Sequence, residues 1–86
     1  MAQYEVQFKA SAAKEFRKLT LDVRSRLQKA IDGLKTEPRP AATKKLTGEI
    51  SLYRIRVGDY RVIYEIDETN QFIVVIRVRH RRDVYQ

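Results

Sequence analysis

Leu52-Tyr53-Arg54-Ile55-Arg56-Val57-Gly58-Asp59-Tyr60-Arg61-Val62-Ile63-Tyr64 alternates in character from residue to residue, breaks at a Gly-Asp pair, and then resumes. A period of two is the signature of strands, and a two-residue, glycine-led break between two such runs predicts a hairpin. With Gly58-Asp59 as the loop, Val57 faces Tyr60, Ile55 faces Val62 and Tyr53 faces Tyr64, all pointing to the core side. The other side carries Arg56 opposite Arg61, and Arg54 opposite Ile63. Tyr53 and Tyr64 are therefore expected in the core or at its edge, and Arg61 is expected to point away from it.

Downstream, Asp67-Glu68-Thr69-Asn70 reads as a second turn, and Phe72 to Arg79 as an apolar strand lying inside the sheet. If the apolar sets stay together, Tyr64 meets Val74, Val62 meets Ile76 and Arg61 meets Arg77, with Arg79 beyond. Upstream, Lys44 to Gly48 is a short approach containing a turn, and Pro38 and Pro40 end a helix. That helix has Val23, Leu27, Ala30, Ile31 and Leu34 on one stripe, Thr20 at its cap and Asp22 in its first turn. Before it, Ser11 is placed to cap a helix that puts Ala12, Ala13, Phe16 and Leu19 on one face. Tyr4, Val6 and Phe8 alternate with polar neighbours as a half-buried strand. The expected class is α+β: an N-terminal strand, a helical hairpin and a three-stranded antiparallel meander, forming one sheet with the helices packed on one face.

Eighty-six residues suit a single domain spanning residues 1–86. An apolar content of 43% is enough for a core and argues against disorder. Without cysteine the chain has no disulfides or thiolate metal ligands, and a cytoplasmic location is the default expectation. The apolar run from Phe72 to Ile76 is too short to span a bilayer, and the start of the chain lacks the pattern of a secretory leader. No membrane partner is expected.

Eighteen basic against eleven acidic residues leave a net charge of +7, which favours a polyanionic partner. The basic residues are sorted by type. Every lysine lies at or before Lys45, and beyond it the fixed cations are arginines 54, 56, 61, 77, 79, 81 and 82. Arginine's planar fork grips phosphate through two bonds at once, so the second half reads as the phosphate-facing half. Like charges opposed across strands cost about 0.2–1 kcal/mol per pair, so selection for stability alone would set acids against these arginines. Glu65 is the one acid that alternation places on that side of the hairpin. The competing reading is that loop Asp or Glu side chains neutralise the cluster.

The available chemistry is narrow. His80 is the only histidine, no carboxylate pair has ligand spacing, and three glycines form no phosphate loop, so neither a metal nor another cofactor is expected. Metal-free cleavage of RNA remains, in which the ribose 2′-OH attacks the adjacent phosphorus. Guanidinium groups stabilise the added charge, whereas the protons need a titratable group. His80, Tyr85 and Glu65 are the candidates.

Lys44-Lys45-Leu46-Thr47-Gly48, the hairpin from Leu52 to Tyr64, and His80-Arg81-Arg82-Asp83-Val84-Tyr85 together resemble the RelE/ParE superfamily of toxins from toxin–antitoxin modules. Ser11 to Leu19 is similar to that family's first helix, so the resemblance covers nearly the whole chain. The RelE branch is the nearer match, and it implies a RelE-like fold and cleavage of mRNA in the ribosomal A site. On that resemblance Arg54 and Arg56 fall where the branch has basic, often lysine, catalytic residues. Arg61 corresponds to its phosphate-binding arginine, Arg81 to its arginine near the leaving group, and Tyr85 to its C-terminal tyrosine. His80 joins this catalytic set by position, and Lys44, Lys45, Arg77, Arg79 and Arg82 complete the expected RNA-binding set. Arginine in place of lysine at 54 and 56 favours charge stabilisation over general-base work, and Arg79 stands where the branch has glycine. The chain given ends one residue past Tyr85, so no extra helix is expected over the site.

The implied partners are mRNA, the ribosome and a cognate antitoxin whose acidic or amphipathic segment wraps the basic cleft. Two rival readings belong to other classes: a ParE-like inhibitor of DNA gyrase that cuts no RNA, and a non-enzymatic RNA- or ribosome-binding module whose tyrosines only stack on bases.

Overall fold

The computed structural model describes residues 3–41, 43–46 and 52–82. In chain order it places β1 (Glu5–Phe8), α1 (Ala10–Arg17), α2 (Leu21–Gly33), β2 (Lys44–Lys45), β3 (Leu52–Val57), β4 (Tyr60–Asp67) and β5 (Phe72–His80). The five strands form one sheet in the order β1-β5-β4-β3-β2, with β1 parallel to β5 and every other pair antiparallel. The expected α+β class and meander are present. The sheet also gains β2, where Lys44 pairs with Arg54 and Lys45 with Tyr53 in a segment read from sequence as an approach. Thr47 and Gly48, at the end of that approach, lie outside the described residues.

α2 starts as its sequence dictates: the Thr20 hydroxyl accepts from the Val23 amide at 3.4 Å, with Asp22 in the first turn. α1 does not. It begins two residues early at Ala10, with Lys9 at the N-cap and no side-chain cap bond, so Ser11 lies within the first turn. What holds α1 is packing. Ala12 is fully buried and the Phe16 ring meets Phe8 at 5.4 Å. Leu27, Ile31 and Leu34 of the α2 segment are buried with Tyr53, Ile55, Val62, Tyr64, Ile66, Ile73, Val75 and Val78 of the sheet, which defines the helix-facing side.

The β3–β4 register is the expected one, residue for residue, from Leu52↔Glu65 to Val57↔Tyr60. Gly58 has φ +60° and Asp59 does not share a positive φ, the II′ pattern with glycine at the first loop position, whose twist suits a hairpin. The β4–β5 register differs from expectation. Asp67 pairs with Phe72 around a four-residue loop, which sets Tyr64 against Val75 rather than Val74. A bulge between Ile63 and Tyr64 then leaves Ile76 as the extra residue, so Val62 meets Val78 and Arg61 meets Arg79. Loop length and bulge each shift the pairing by one residue. Ile73 and Val75, not Val74 and Ile76, therefore enter the core, while Arg77 and Arg79 still stand on the face away from the helices.

Candidate nucleic-acid interface

A sheet covered by helices on one face leaves its other face for ligands, and there the hairpin end concentrates the cations. A cleft of about 340 Å³ is lined by Arg56, Gly58, Asp59, Arg61, Arg81 and Arg82. Three elements build it. The β3–β4 hairpin supplies Arg56 and Arg61 as directly opposed residues flanking the Gly58 turn. The segment after β5 supplies Arg81 and Arg82, and it is pinned to the same turn because the Arg81 amide donates to the Asp59 carbonyl at 2.7 Å. The Asp59 carboxylate also lies 4.0 Å from Arg81 Nε, both side chains being well exposed.

Arg61 is 7% exposed, the one buried charged residue among those described. It points away from the helices, as alternation requires, yet it is covered. It sits on the strand between β3 and β5, with Arg56 across one ladder and Arg79 across the other. Removal from water strengthens what such a cation can offer an anion. Arg56 is exposed, and neither it nor Arg54 forms an ion pair with a described carboxylate.

Other residues singled out from sequence are placed elsewhere. Arg54 lies next along β3 between Lys44 and Ile63, outside the cleft lining, and Lys44 and Lys45 are exposed on the edge strand. Arg77 and Arg79 lie beside Glu15 of α1, at 3.9 and 3.4 Å. His80 pairs with Tyr60 on the helix side, its ring edge-on to Tyr60 at 5.0 Å, while its Nδ1 accepts from the Arg82 amide at 3.2 Å. Glu65 is four positions along β4 from Arg61, about 13 Å at the usual strand rise. Tyr85 lies outside the described residues.

Two residues that sequence reasoning passed over meet these arginines. Asp59 was legible only as a turn residue, though its place between two arginine-bearing strands is a signal. Glu15 is the one acid on α1 among Lys14, Arg17 and the following Lys18, and alternation within the sheet says nothing about it. The competing reading, neutralisation by loop acids, is met in part: Asp59 lies at Arg81, and a helix instead of a loop supplies Glu15 at Arg77 and Arg79. The convergence of guanidinium groups fits a strand of phosphodiesters, each carrying one negative charge on two nonbridging oxygens that an arginine fork can grip.

The family model described as the ParE toxin of the type II toxin–antitoxin system parDE matches residues 6–85. The chain is 35% identical over 86 residues to the mRNA interferase toxin RelE of Escherichia coli K12, covering 95% of this chain and 90% of that one. It is 32% identical over 85 residues to the toxin RelG of Mycobacterium tuberculosis, covering 96% and 97%. Its fold is similar to the toxin in the intact E. coli RelBE toxin–antitoxin complex, with a TM-score of 0.79 and 34% identity over 87% of this chain and 93% of that one. The arginine-lined hairpin is thus carried by a chain that belongs to the RelE/ParE superfamily of type II toxin–antitoxin toxins.

Proposed function

We propose that this toxin, acting as a single domain, is an endoribonuclease that cuts mRNA in the ribosomal A site, without a metal, and so stops translation. The observation that carries the reading is the cleft in which Arg56, Arg61, Arg81 and Arg82 converge. The likeness to a relative named an mRNA interferase supports it.

In the reaction the 2′-OH loses its proton and its oxygen bonds to phosphorus. The 5′-oxygen of the next nucleotide leaves and takes up a proton, so a 2′,3′-cyclic phosphate and a 5′-hydroxyl result. Charge accumulates on the nonbridging oxygens, where the opposed Arg56 and Arg61 stand ready, and preorganised cations need no rearrangement as it develops. Arg81, held to the hairpin turn through Asp59, is assigned to the leaving oxygen. Tyr85 is assigned to proton transfer with His80 in reserve, because His80 is turned toward Tyr60. Arg54, Lys44, Lys45 and Arg82 extend the positive surface along which RNA lies.

The cognate antitoxin is a partner on the model of the similar toxins solved as RelB complexes. Translating ribosomes make the cytoplasm its place of action. Among the described residues no helix is long and apolar enough to cross a membrane. Primer extension on mRNA after induction tests the reading: cuts inside translated codons are expected. Supercoiling defects without cuts would replace it by the rival reading, gyrase poisoning.

A further inference from the structure

The parallel pairing of β1 with β5 ends at Phe8↔Val75, and beyond it the outer edge of β5 is met by α1 instead of a strand. Glu15 closes that edge. One carboxylate oxygen accepts the Val78 amide at 2.9 Å, and the other lies 3.4 Å from Arg79 Nε and 3.9 Å from Arg77 Nη1. Glu15 is 26% exposed at its side chain, and Val78 is 4% exposed. A carboxylate fixed by this bond cannot move aside for a phosphate without leaving a buried N–H unsatisfied. Any phosphate that approaches Arg77 or Arg79 therefore meets a fixed negative charge as well.

We propose that Glu15 withholds Arg77 and Arg79 from the RNA backbone and so confines phosphate recognition to the cleft of Arg56, Arg61, Arg81 and Arg82. It is a positioning residue that acts through these two arginines and sets how many phosphates the sheet engages. The inference rests on the reading of the chain as an RNA-cutting protein and adds a determinant of where on the sheet the strand is held. Arg79 lies directly across from Arg61, so a freed Arg79 would add a phosphate contact next to the one Arg61 makes and extend the strand's track beyond the cleft.

Counterion release gives a readout that a purely structural role leaves unmoved. Each phosphate contact adds about 0.7 to the slope of log K against log salt on a single strand. The probe is a short single-stranded RNA, 2′-O-methylated throughout to remove the nucleophile, followed by fluorescence anisotropy across a potassium chloride series. Glu15→Gln keeps an oxygen for the Val78 amide but loses the charge. It is expected to steepen the slope by about 0.7–1.4, one or two new contacts, and to tighten binding about 5- to 25-fold at 0.1 M salt. Arg77→Gln with Arg79→Gln is expected to leave the native slope unchanged and to return the Glu15→Gln slope to the native value. An unchanged slope in a Glu15→Gln protein that melts normally overturns the inference. So does a shallower slope for the double arginine variant in the native background, and that arm decides alone if Glu15→Gln does not fold. Absence of saturable RNA binding by the native protein overturns the RNA reading itself.

Discussion

Replacing Tyr64 by phenylalanine removes a single oxygen from the best-buried aromatic side chain of the core. Tyr64 is 0% exposed, and its hydroxyl donates to the Pro38 carbonyl at 2.6 Å, with Thr43 Oγ1 3.4 Å away. Its ring stacks on Tyr53 at 6.0 Å, and Tyr53 in turn accepts from Arg39 Nε at 3.2 Å, while Arg39 reaches Glu68 at 2.6 Å. The segment between α2 and β2 is thus tied to the helix side of the sheet by two tyrosine hydroxyls. Loss of one hydrogen bond costs about 1 kcal/mol, and a carbonyl left without its donor brings the range to about 1–3 kcal/mol. At roughly 4–8 °C per kcal/mol for a domain of this size, a loss of about 1.5 kcal/mol lowers the melting temperature by about 6–12 °C. Burial raises the Tyr64 pKa above its ordinary value, with the Thr43 bond acting the other way. Because the folded value is raised, this group's contribution is full below pH 10 and is lost as pH rises through the raised value. The melting curves of the two proteins should therefore converge at strongly alkaline pH. Single-turnover cleavage should stay within about twofold of native, under 0.5 kcal/mol of barrier, because the ring lies on the side of the sheet opposite the cleft. A Tyr64→Phe protein that melts normally yet cannot cleave would show that the two faces of the sheet have been exchanged.

Arg61→Lys keeps the charge and loses the fork; a charge-assisted bond worth about 1.5–3 kcal/mol predicts a fall of roughly 10- to 150-fold in single-turnover rate, and native-like cleavage would remove Arg61 from the phosphate site. Tyr85→Phe should lower that rate by more than about tenfold, or 1.4 kcal/mol, with Tyr85→Ala losing more; equal rates for native and Phe proteins would transfer the proton step to His80. In the β4–β5 turn, backbone and side-chain bonds from Asn70 hold the Asp67 carboxyl below its ordinary value, so its contribution is present above pH 3.8 and is lost as pH falls through the lowered value. Asn70→Ala keeps the backbone bond and removes the side-chain one, so the Asp67 titration, followed by NMR, should move part of the way up toward pH 3.8, and an unmoved titration would refute the share given to the Asn70 side chain.

The hairpin was legible in the sequence because a two-residue loop leaves no freedom: once Gly58-Asp59 is the turn, every partner from Leu52 to Glu65 is determined. The next register was not, since neither the loop from Glu68 to Gln71 nor the bulge at Ile76 follows from alternation. Gln71 closes that loop with φ +58°, a conformation its side chain does not announce. In the site, Arg56 and Arg61 came from alternation and Arg81 and Arg82 from the resemblance, and the cleft brings all four together. His80 lies between two arginines in the chain, but strand alternation turns it to the opposite face beside Tyr60, a separation the sequence already contained. Glu15 was out of reach, because its meeting with β5 depends on where β1 stops and how α1 then crosses the sheet.

The bulge at Ile76 gives β5 two parities. Ile73 and Val75, at odd positions, face the helices, and beyond the bulge Val78 and His80, at even positions, take over that side. Arg77 and Arg79 are odd-numbered like the first pair, so an unbroken strand would drive both guanidinium groups into the helix layer. Deleting Ile76 removes the extra residue itself, so Val75 would run directly into Arg77 and the ladder would alternate without a break while every other residue kept its partner and its face. The strand consequently behaves like a reading frame: one residue removed at the bulge leaves both halves in frame, whereas one inserted elsewhere needs a second bulge to keep the far half from turning over. Deletion of Ile76 should therefore be accepted without a compensating insertion, with Arg77 and Arg79 still on the face of Arg61 and Val78 still in the core.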